Sequence, residues 1–255
     1  QYLSAKKKLG FDKHTQSVMK AIVVKEGNRN IINEAFRVLR SNIDFMAGKD
    51  SGQNVFMLTS FNPGSGKSFL AMNIAMSFAI KKKRILVIDG DLRHGSTSSY
   101  VDSPKTGLSD YLGNRVSDWK EIIVKDEKYD ILHIIPIGTV PPNPTELLED
   151  GKLATLIEVL RSEYDYIFID CPPIDIVADA QIIEKLADRT VFVVRSGLLD
   201  RSMLPELENI YQEKRFKNLS VILNGTESAG GRYGYRYGYR NGYSSYYGNK
   251  GKMGG

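Results

Sequence analysis

The chain has 255 residues, of which 42% are hydrophobic, enough to bury the core of one large domain. Its single cysteine excludes an internal disulfide framework, and no apolar run approaches the ~20 residues that a membrane-spanning helix needs. The formal net charge is +5, but the basic residues after residue 230 have no acidic neighbour there, so the charge excess lies in a C-terminal tail.

The first elements in chain order are a basic segment and an amphipathic helix. Residues 6–8 are three lysines, which suit a juxtamembrane segment (1–17) near an anionic leaflet, although a solvated chain end is an equal alternative. One buried helical stripe is predicted from the spacing of Ile32, Phe36, Leu39, Ile43 and Met46. The opposite arc holds Glu34, Arg37 and Arg40, which by themselves are typical of a solvated helix face.

Apolar runs and helical periodicity alternate through the middle of the chain. Buried parallel strands are predicted at 55–60, 84–89, 166–170, 190–195 and 219–224, with 131–137 as a further candidate. Helices are predicted between them at 68–80, 153–161, 178–186 and 203–214. This alternation predicts an α/β fold with a doubly wound, mostly parallel sheet, which binds its ligands at the carboxyl ends of the strands.

The first strand leads into FNPGSGKS, residues 61–68. GSGKS matches the end of a P-loop, in which backbone amides and a helix N-terminus hold phosphate. Lys67 is expected to meet the β- and γ-phosphates and the Ser68 hydroxyl to bind Mg²⁺, whereas an ordinary glycine-rich turn is the alternative. Phe61 replaces the usual first glycine. The predicted nucleotide-binding residues here are Pro63, Gly64, Ser65, Gly66, Lys67, Ser68 and Phe69.

Two further strands end in carboxylates. The second strand ends in Asp89, and Asp91 follows two residues later, so in extended geometry both point the same way. Such carboxylates repel each other unless a cation lies between them, which favours a Mg²⁺ site or a base. Arg93 is expected to steady the carboxylates or the phosphates, and a local salt bridge is an equal alternative. Asp170 ends a later strand, where P-loop NTPases aim an aspartate at the metal's water shell, although a cap or turn is possible.

These motifs resemble the deviant Walker class of P-loop ATPases, which includes the septum-positioning (MinD) and chromosome-partitioning (ParA) proteins. Residues 60–68 resemble the Walker A box, 89–93 the Walker A′ box and 167–173 the Walker B box, and 141–148 (PPNPTELL) resemble a family stretch. Asn62 stands where those two ATPases carry a signature lysine. With the tyrosine-rich tail, residues 18–247 resemble the cytoplasmic kinase domain of bacterial protein-tyrosine kinases (BY-kinases).

The tail, 230–255, consists mainly of Gly, Tyr, Arg, Asn and Ser, which cannot bury a core, so we expect disorder. The resemblance implies that its tyrosines are the autophosphorylation substrate, whereas from composition alone it equally suits nucleic-acid binding or self-association. These residues are Tyr233, Tyr235, Tyr237, Tyr239, Tyr243, Tyr246 and Tyr247.

The resemblance implies an ATP- and Mg²⁺-dependent kinase domain over residues 18–229. Lys67, Asp89, Asp91 and Asp170 would be catalytic, with Asp89 as the base; the metal residues would be Ser68 and the three aspartates. Asn224, at the end of the last strand, would contact adenine or cap a turn. Cys171 is expected to be a packing residue.

The resemblance also implies partners and a location. Glu34, Arg37 and Arg40 match an E-x-x-R-x-x-R motif at subunit contacts of a ring-shaped homo-oligomer, in which each tail enters a neighbour's site. We expect a missing transmembrane and periplasmic segment, a partner tyrosine phosphatase, and no specific nucleic acid. The chain would be the cytoplasmic part of a bacterial inner-membrane protein that regulates capsular or extracellular polysaccharide export. A P-loop ATPase switch that transfers no phosphate is the alternative.

Overall fold

The computed structural model describes residues 22–48, 52–126, 130–174 and 178–226. These residues form seven α-helices, seven strands and three short 3₁₀ turns. The strands are β1 Val55–Thr59, β2 Ile85–Asp89, β3 Val124–Lys125, β4 Leu132–Ile135, β5 Tyr166–Asp170, β6 Arg189–Arg195 and β7 Ser220–Asn224. The helices are α1 Ile31–Ala47, α2 Lys67–Ala79, α3 Leu108–Leu112, α4 Pro144–Glu149, α5 Lys152–Glu163, α6 Asp179–Glu184 and α7 Leu204–Gln212.

The strands form one sheet in the order β3-β4-β2-β5-β1-β6-β7, parallel throughout except for β3, which is antiparallel to β4. Every residue of β1, β2 and β5 is buried, because hydrophobic clusters cover both faces of the sheet. Continuous apolar runs rather than alternating ones are the sequence mark of such strands. The predicted doubly wound α/β fold is confirmed, whereas β3 and the short helices α3 and α4 were not predicted.

Helix α1 packs one face against α2, where Phe36 and Ile43 are buried. The predicted stripe is wrong at Ile32, which lies in the first turn of the helix and is 50% exposed. A second apolar row was not predicted. Its members are seven residues apart and face outward: Ile31, Val38 and Phe45 are 78%, 56% and 88% exposed.

The predicted terminal segments, 1–17 and 230–255, lie outside the described residues, and so do the seven tail tyrosines. Within the described ranges, no helix has the length and apolar character needed to cross a membrane. The description that follows concerns residues up to Asn224, which form one compact unit.

Candidate active site

The P-loop is tied to three strand ends. The Asn62 carbonyl accepts hydrogen bonds from the hydroxyls of Ser60 (2.8 Å) and Ser65 (2.7 Å). From β6, Arg195 Nη1 donates to the Gly64 carbonyl at 2.7 Å, and from β7 Asn224 Nδ2 donates to the Ser65 carbonyl at 2.9 Å. These bonds turn the loop's carbonyls toward the protein. Its amides are thereby left for a ligand at the N-terminus of α2.

Phe61 has a structural role in place of the usual first glycine. Its side chain is buried and packs edge-on against Phe192, with ring centroids 4.8 Å apart. The substitution therefore adds an anchor below the loop and leaves the later glycines to shape the phosphate-binding turn.

Gly66 ends the loop in the left-handed region, with φ +93°, and precedes the first residue of α2. A Cβ at this position would lie 2.4 Å from Asn224 Nδ2, closer than real side chains allow. Gly64 also has a positive φ, +74°, but a Cβ there would meet no atom within 4 Å. Of these two loop glycines, Gly66 therefore combines backbone strain with a steric conflict, whereas Gly64 has the strain alone.

Replacing Gly66 with alanine is expected to weaken ADP binding strongly and to lower stability by about 1–3 kcal/mol, because left-handed strain adds to displacement of Asn224. Gly64→Ala is the matched control, with strain alone and a cost of about 1 kcal/mol. Thermal unfolding and titration with a fluorescent ADP analogue measure both quantities. Equal losses in the two variants would contradict the role given to the Gly66–Asn224 contact.

Lys67 is the first residue of α2 and is 9% exposed, with Nζ donating to the Ser60 hydroxyl at 3.1 Å. Burial lowers the pKa of Lys67, while the nearby charges of Asp170 and Asp91 act in the opposite direction. The structure thus places a desolvated ammonium group beside two of the predicted carboxylates, where it would strongly attract phosphate.

Asp89 and Asp170 are in-register neighbours at the ends of β2 and β5. Asp89 Oδ2 accepts hydrogen bonds from the Ser98 amide (2.6 Å) and hydroxyl (2.7 Å), and Asp170 Oδ2 accepts one from the Thr97 hydroxyl (2.7 Å). In each carboxylate the other oxygen, Oδ1, is buried without a hydrogen-bond partner within the described structure. Two adjacent acceptors left open in this way suit a hydrated cation.

The protonation of this pair follows from its burial. Burial, with the charge of Asp170, raises the pKa of Asp89 to about 8. Burial also raises the pKa of Asp170, against the hydrogen bonds from Ser68 and Thr97 that stabilise its charged form. Two buried carboxylates side by side therefore need a proton or a cation between them.

The predicted position of Asp91 is corrected by the structure. Strand β2 ends at Asp89, and Asp91 instead begins a turn in which its carbonyl accepts from the amides of His94 (3.2 Å) and Gly95 (3.0 Å). The argument from extended geometry therefore fails for this residue. Its charge still acts on Lys67, Asp89 and Asp170, so the carboxylate lies in the same neighbourhood.

Mg²⁺ fits this donor set only together with phosphate. Within the described ranges, no group of three or more His, Cys, Asp or Glu residues is arranged to hold a metal ion alone. The predicted set of Ser68, Asp89, Asp91 and Asp170 is therefore not a protein cage. Mg²⁺ ordinarily keeps several waters and binds through one or two carboxylates plus substrate phosphates, which matches the open oxygens seen here.

Arg93 makes a salt bridge, the alternative that the sequence left open, but with a partner that is distant in the chain. Its Nε donates to Asp179 Oδ2 at 3.2 Å and its Nη2 to the Thr145 hydroxyl at 3.1 Å. Both partners lie far along the chain from the Walker A′ box. In this structure the guanidinium pairs with the buried carboxylate of Asp179. Nucleotide binding by Arg93 stays a prediction.

The E-x-x-R-x-x-R residues make contacts within the chain. Arg37 pairs with Glu34 on the same helix and also donates to the Asn28 carbonyl. Arg40 is half-buried, with Nη1 donating to the Ser77 carbonyl of α2 at 2.9 Å. Arg40 therefore helps to join α1 to α2, and of the three residues Glu34 is the most exposed.

Sequence reasoning missed four residues that shape the site: Ser60, Thr97, Ser98 and Arg195. The run STSS at 96–99 after the Walker A′ box hinted at hydroxyl donors for the carboxylates. Nothing local indicated Arg195, because its contact with Gly64 depends on β6 lying beside β1.

Comparison with known proteins identifies the family of the chain. The AAA domain family matches residues 53–207. The tyrosine-protein kinase YwqD of Bacillus subtilis is 34% identical over 210 residues, which cover 81% of this chain and 87% of YwqD. EpsB of Ralstonia solanacearum, described as a candidate tyrosine-protein kinase, is 37% identical over 207 residues, 79% of this chain but only 27% of EpsB.

Among solved structures, the kinase domain of the Escherichia coli tyrosine kinase ETK superimposes with a TM-score of 0.70 and 30% identity, covering 81% of this chain and 80% of that domain. Sequence and fold thus point the same way, and the described loop, lysine and paired carboxylates lie within the matched residues. The chain belongs to the family of bacterial tyrosine-protein kinases, the BY-kinases.

Proposed function

We propose that this kinase transfers the γ-phosphoryl group of ATP to the tyrosines of the C-terminal tail of another copy, within a ring-shaped homo-oligomer. The observation that carries the proposal is the convergence of a buried lysine and two buried strand-end carboxylates beneath a P-loop. The catalytic parts of phosphoryl transfer are positioning and charge stabilisation, and these groups supply both.

Each group has a defined task in this proposal. Amides of Gly64, Ser65 and Gly66 bind the phosphates, and Lys67 compensates charge on the transferring group. The Ser68 hydroxyl, Asp170 and Asp91 would hold Mg²⁺ directly or through water, and the ion would supply charge neutralisation for the phosphates. Adenine binding is assigned to Asn224.

Asp89 is proposed as the base that accepts the phenol proton. A phenol with a pKa of ~10 is a weak nucleophile until a base takes its proton during attack. The carboxylate of Asp89 has an open oxygen, and the two bonds from Ser98 fix its orientation.

The tail is suited to be the acceptor by composition. Gly-rich sequence acts as a flexible tether, which raises the effective concentration of each tyrosine at a nearby site. Each phosphate would add about −1.5 to −2 charge to a basic segment, so phosphorylation would reverse its sign.

The outward row of α1 supports the oligomeric part of the proposal. Ile31, Val38 and Phe45 expose apolar surface on the helix that carries the E-x-x-R-x-x-R motif. Exposed apolar rows of this kind are typical of protein contacts. We therefore assign the subunit contact to this row together with Glu34, while Arg37 and Arg40 support it from within the chain.

Two chains that can each do only half of the reaction test the proposal. The acceptor carries Lys67→Met with an intact tail, and the donor keeps its site but has phenylalanine at the seven tail tyrosines. With Mg²⁺ and ATP, peptide mass spectrometry is expected to find phosphate on the acceptor's tail. Adding Phe45→Asp to both chains should slow this transfer at least about 10-fold, because the chains must then meet from solution.

Val159→Asp is the matched control, since Val159 is also an exposed apolar residue but lies on α5. It should leave the transfer rate unchanged. ADP release with unmodified tyrosines would reject the kinase step for this tail and favour an ATPase switch. An acceptor tail that stays unmodified, under conditions in which the parent chain phosphorylates its own tail, would reject transfer between copies.

In the cell, the proposal places the kinase on the cytoplasmic side of a bacterial inner membrane, where it regulates capsular or extracellular polysaccharide export. It is supported by the family and by EpsB, in which the matched segment is part of a much longer protein. A transmembrane and periplasmic partner segment and a tyrosine phosphatase that resets the tail complete the proposed system.

A further inference from the structure

The structure contains a buried carboxylate that the proposed mechanism does not use. Asp179, the first residue of α6, is 0% exposed and lies outside the phosphate site. Its Oδ2 pairs with Arg93 Nε at 3.2 Å and its Oδ1 accepts from the Thr145 hydroxyl at 2.7 Å. A buried charge is costly unless it is paired, so this arrangement requires both partners.

Thr145 completes a three-membered network. Its hydroxyl donates to Asp179 and accepts from Arg93 Nη2 at 3.1 Å, so each member contacts both others. Thr145 lies in the PPNPTELL stretch, to which no step of the proposed mechanism assigns a role. The network therefore joins three separate motifs: the Walker A′ box, that stretch and the helix after the Walker B box.

The Walker A′ loop is held at a second point, Gly90, by strand β5 and by the same helix. The Gly90 amide donates to the Asp170 carbonyl at 2.8 Å, and a Cβ at Gly90 would lie 3.0 Å from Ile183. Asp179 and Ile183 are four residues apart on α6, so they lie on one face of the helix. Loop 90–95 is thus fastened to α6 by the packing of Gly90 and by the side chain of Arg93.

The backbone of Arg93 is part of the turn that orients Asp91. Asp91 Oδ1 accepts from the amides of Arg93 and His94, both at 3.2 Å. A guanidinium fixed at two atoms restricts the amide on the same residue, and this amide holds the Asp91 carboxylate. The chain of contacts runs from Asp179 through Arg93 to Asp91.

We propose that Asp179 and Thr145 are positioning residues, which hold loop 90–95 through Arg93 and so place the Asp91 carboxylate for the nucleotide-bound Mg²⁺. The inference deepens the proposed function and rests on its Mg²⁺ site, but not on the identity of the phosphate acceptor. Arg93 acts through the loop rather than by touching phosphate.

Mg²⁺-dependent nucleotide binding tests this role without any phosphoryl transfer. A fluorescent ADP analogue is bound to the full chain, and Mg²⁺ is titrated to find its half-saturating concentration. Asp179→Asn, which keeps the size and removes the charge, is expected to raise that concentration about 10-fold, as loss of groups that orient metal ligands usually does. Thr145→Val should raise the half-saturating Mg²⁺ concentration about 3-fold. The effect is smaller because this change removes the hydrogen bonds of a neutral hydroxyl group and no charge.

Asp188→Asn is the matched control, because Asp188 forms a comparable pair with Arg161 (2.6 Å) at the amino end of β6. It should lower the unfolding temperature without changing the half-saturating Mg²⁺ concentration. Arg93→Gln should act like Asp179→Asn, and the double variant should be no worse than either, because the two act through one contact.

An Asp179→Asn variant that loses thermal stability but keeps the parent's half-saturating Mg²⁺ concentration would overturn the proposal. If Asp179→Asn does not fold, the Thr145→Val variant decides. A half-saturating Mg²⁺ concentration equal to the parent's in Thr145→Val would also overturn the proposal. A tail that stays unmodified while these Mg²⁺ shifts occur would reject the proposed kinase step and leave this inference standing.

Discussion

Lys67→Met is expected to reduce tail phosphorylation by about 10²- to 10³-fold, the usual cost of removing one preorganised charge-stabilising group. Lys67 is buried at the start of α2, within hydrogen-bond distance of Ser60 and close to the charges of Asp170 and Asp91. Methionine fills a similar space without the charge. The variant therefore loses the stabilisation of the charge that develops on the transferring phosphoryl group. Quantitative mass spectrometry of tail peptides during a time course measures the rate.

Lys81→Met is the control for this change, since Lys81 is exposed beyond the end of α2. Its rate should equal that of the parent chain. Circular dichroism and thermal unfolding should find both variants folded. A Lys67→Met protein that phosphorylates its tail at the parent rate would remove the central residue of the mechanism.

Asp89→Asn is expected to abolish most transfer, by about 10²- to 10⁴-fold for a lost base, and yet to stabilise the nucleotide-free protein at alkaline pH. The pKa of Asp89 is raised to about 8 by burial and by Asp170, whereas in an unfolded chain it is about 3.9. The folded state therefore binds this proton more tightly than the unfolded state does.

The sign of the pH dependence follows from that difference. The contribution of Asp89 to stability is fully present below about pH 4 and is lost progressively as the pH rises to about 8. Asparagine does not titrate, so the variant should lose less stability over this interval. At pH 8 in EDTA we expect a gain of at least about 1 kcal/mol, or roughly 2–4 °C in unfolding temperature.

Asp110→Asn separates this effect from the general loss of a buried carboxylate. Asp110 accepts bonds from the amides of Gly107 and Thr139 and pairs with Arg115, so its replacement should destabilise the protein at every pH. Thermal unfolding from pH 5 to 9 without nucleotide compares the three proteins. Parallel curves for Asp89→Asn and the parent would contradict the paired-carboxylate account.

Local patterns were sufficient for the strands that carry the site. Residues 55–60, 84–89 and 166–170 were predicted as strands, because a strand buried on both faces must be apolar at every position. The P-loop was predictable for a similar reason. Its glycines permit the left-handed backbone conformation of the turn, and this conformation involves only a few neighbouring residues. The extended geometry expected at Asp91 was wrong, because the chain turns after Asp89, although the charge of Asp91 does act on Lys67, Asp89 and Asp170.

Contacts between distant residues were outside the reach of these patterns. The outward row Ile31, Val38 and Phe45 on α1 has the same helical spacing as a buried stripe, and only packing against α2 decides which of two apolar rows is covered. Sequence alone therefore predicted an amphipathic helix with one buried face and missed its second apolar row.

By itself, the sequence determined the fold class, the P-loop, the two strand-end aspartates and the kinase family, because each is indicated by short segments whose own residues are near one another in the chain. Tertiary structure decided that Arg93 pairs with Asp179, that Arg195 and Asn224 hold the P-loop, and that the Ser98 and Thr97 hydroxyls orient the carboxylates. Those contacts depend on strand order in the sheet, which is set by how all the hydrophobic faces pack together and by no single segment.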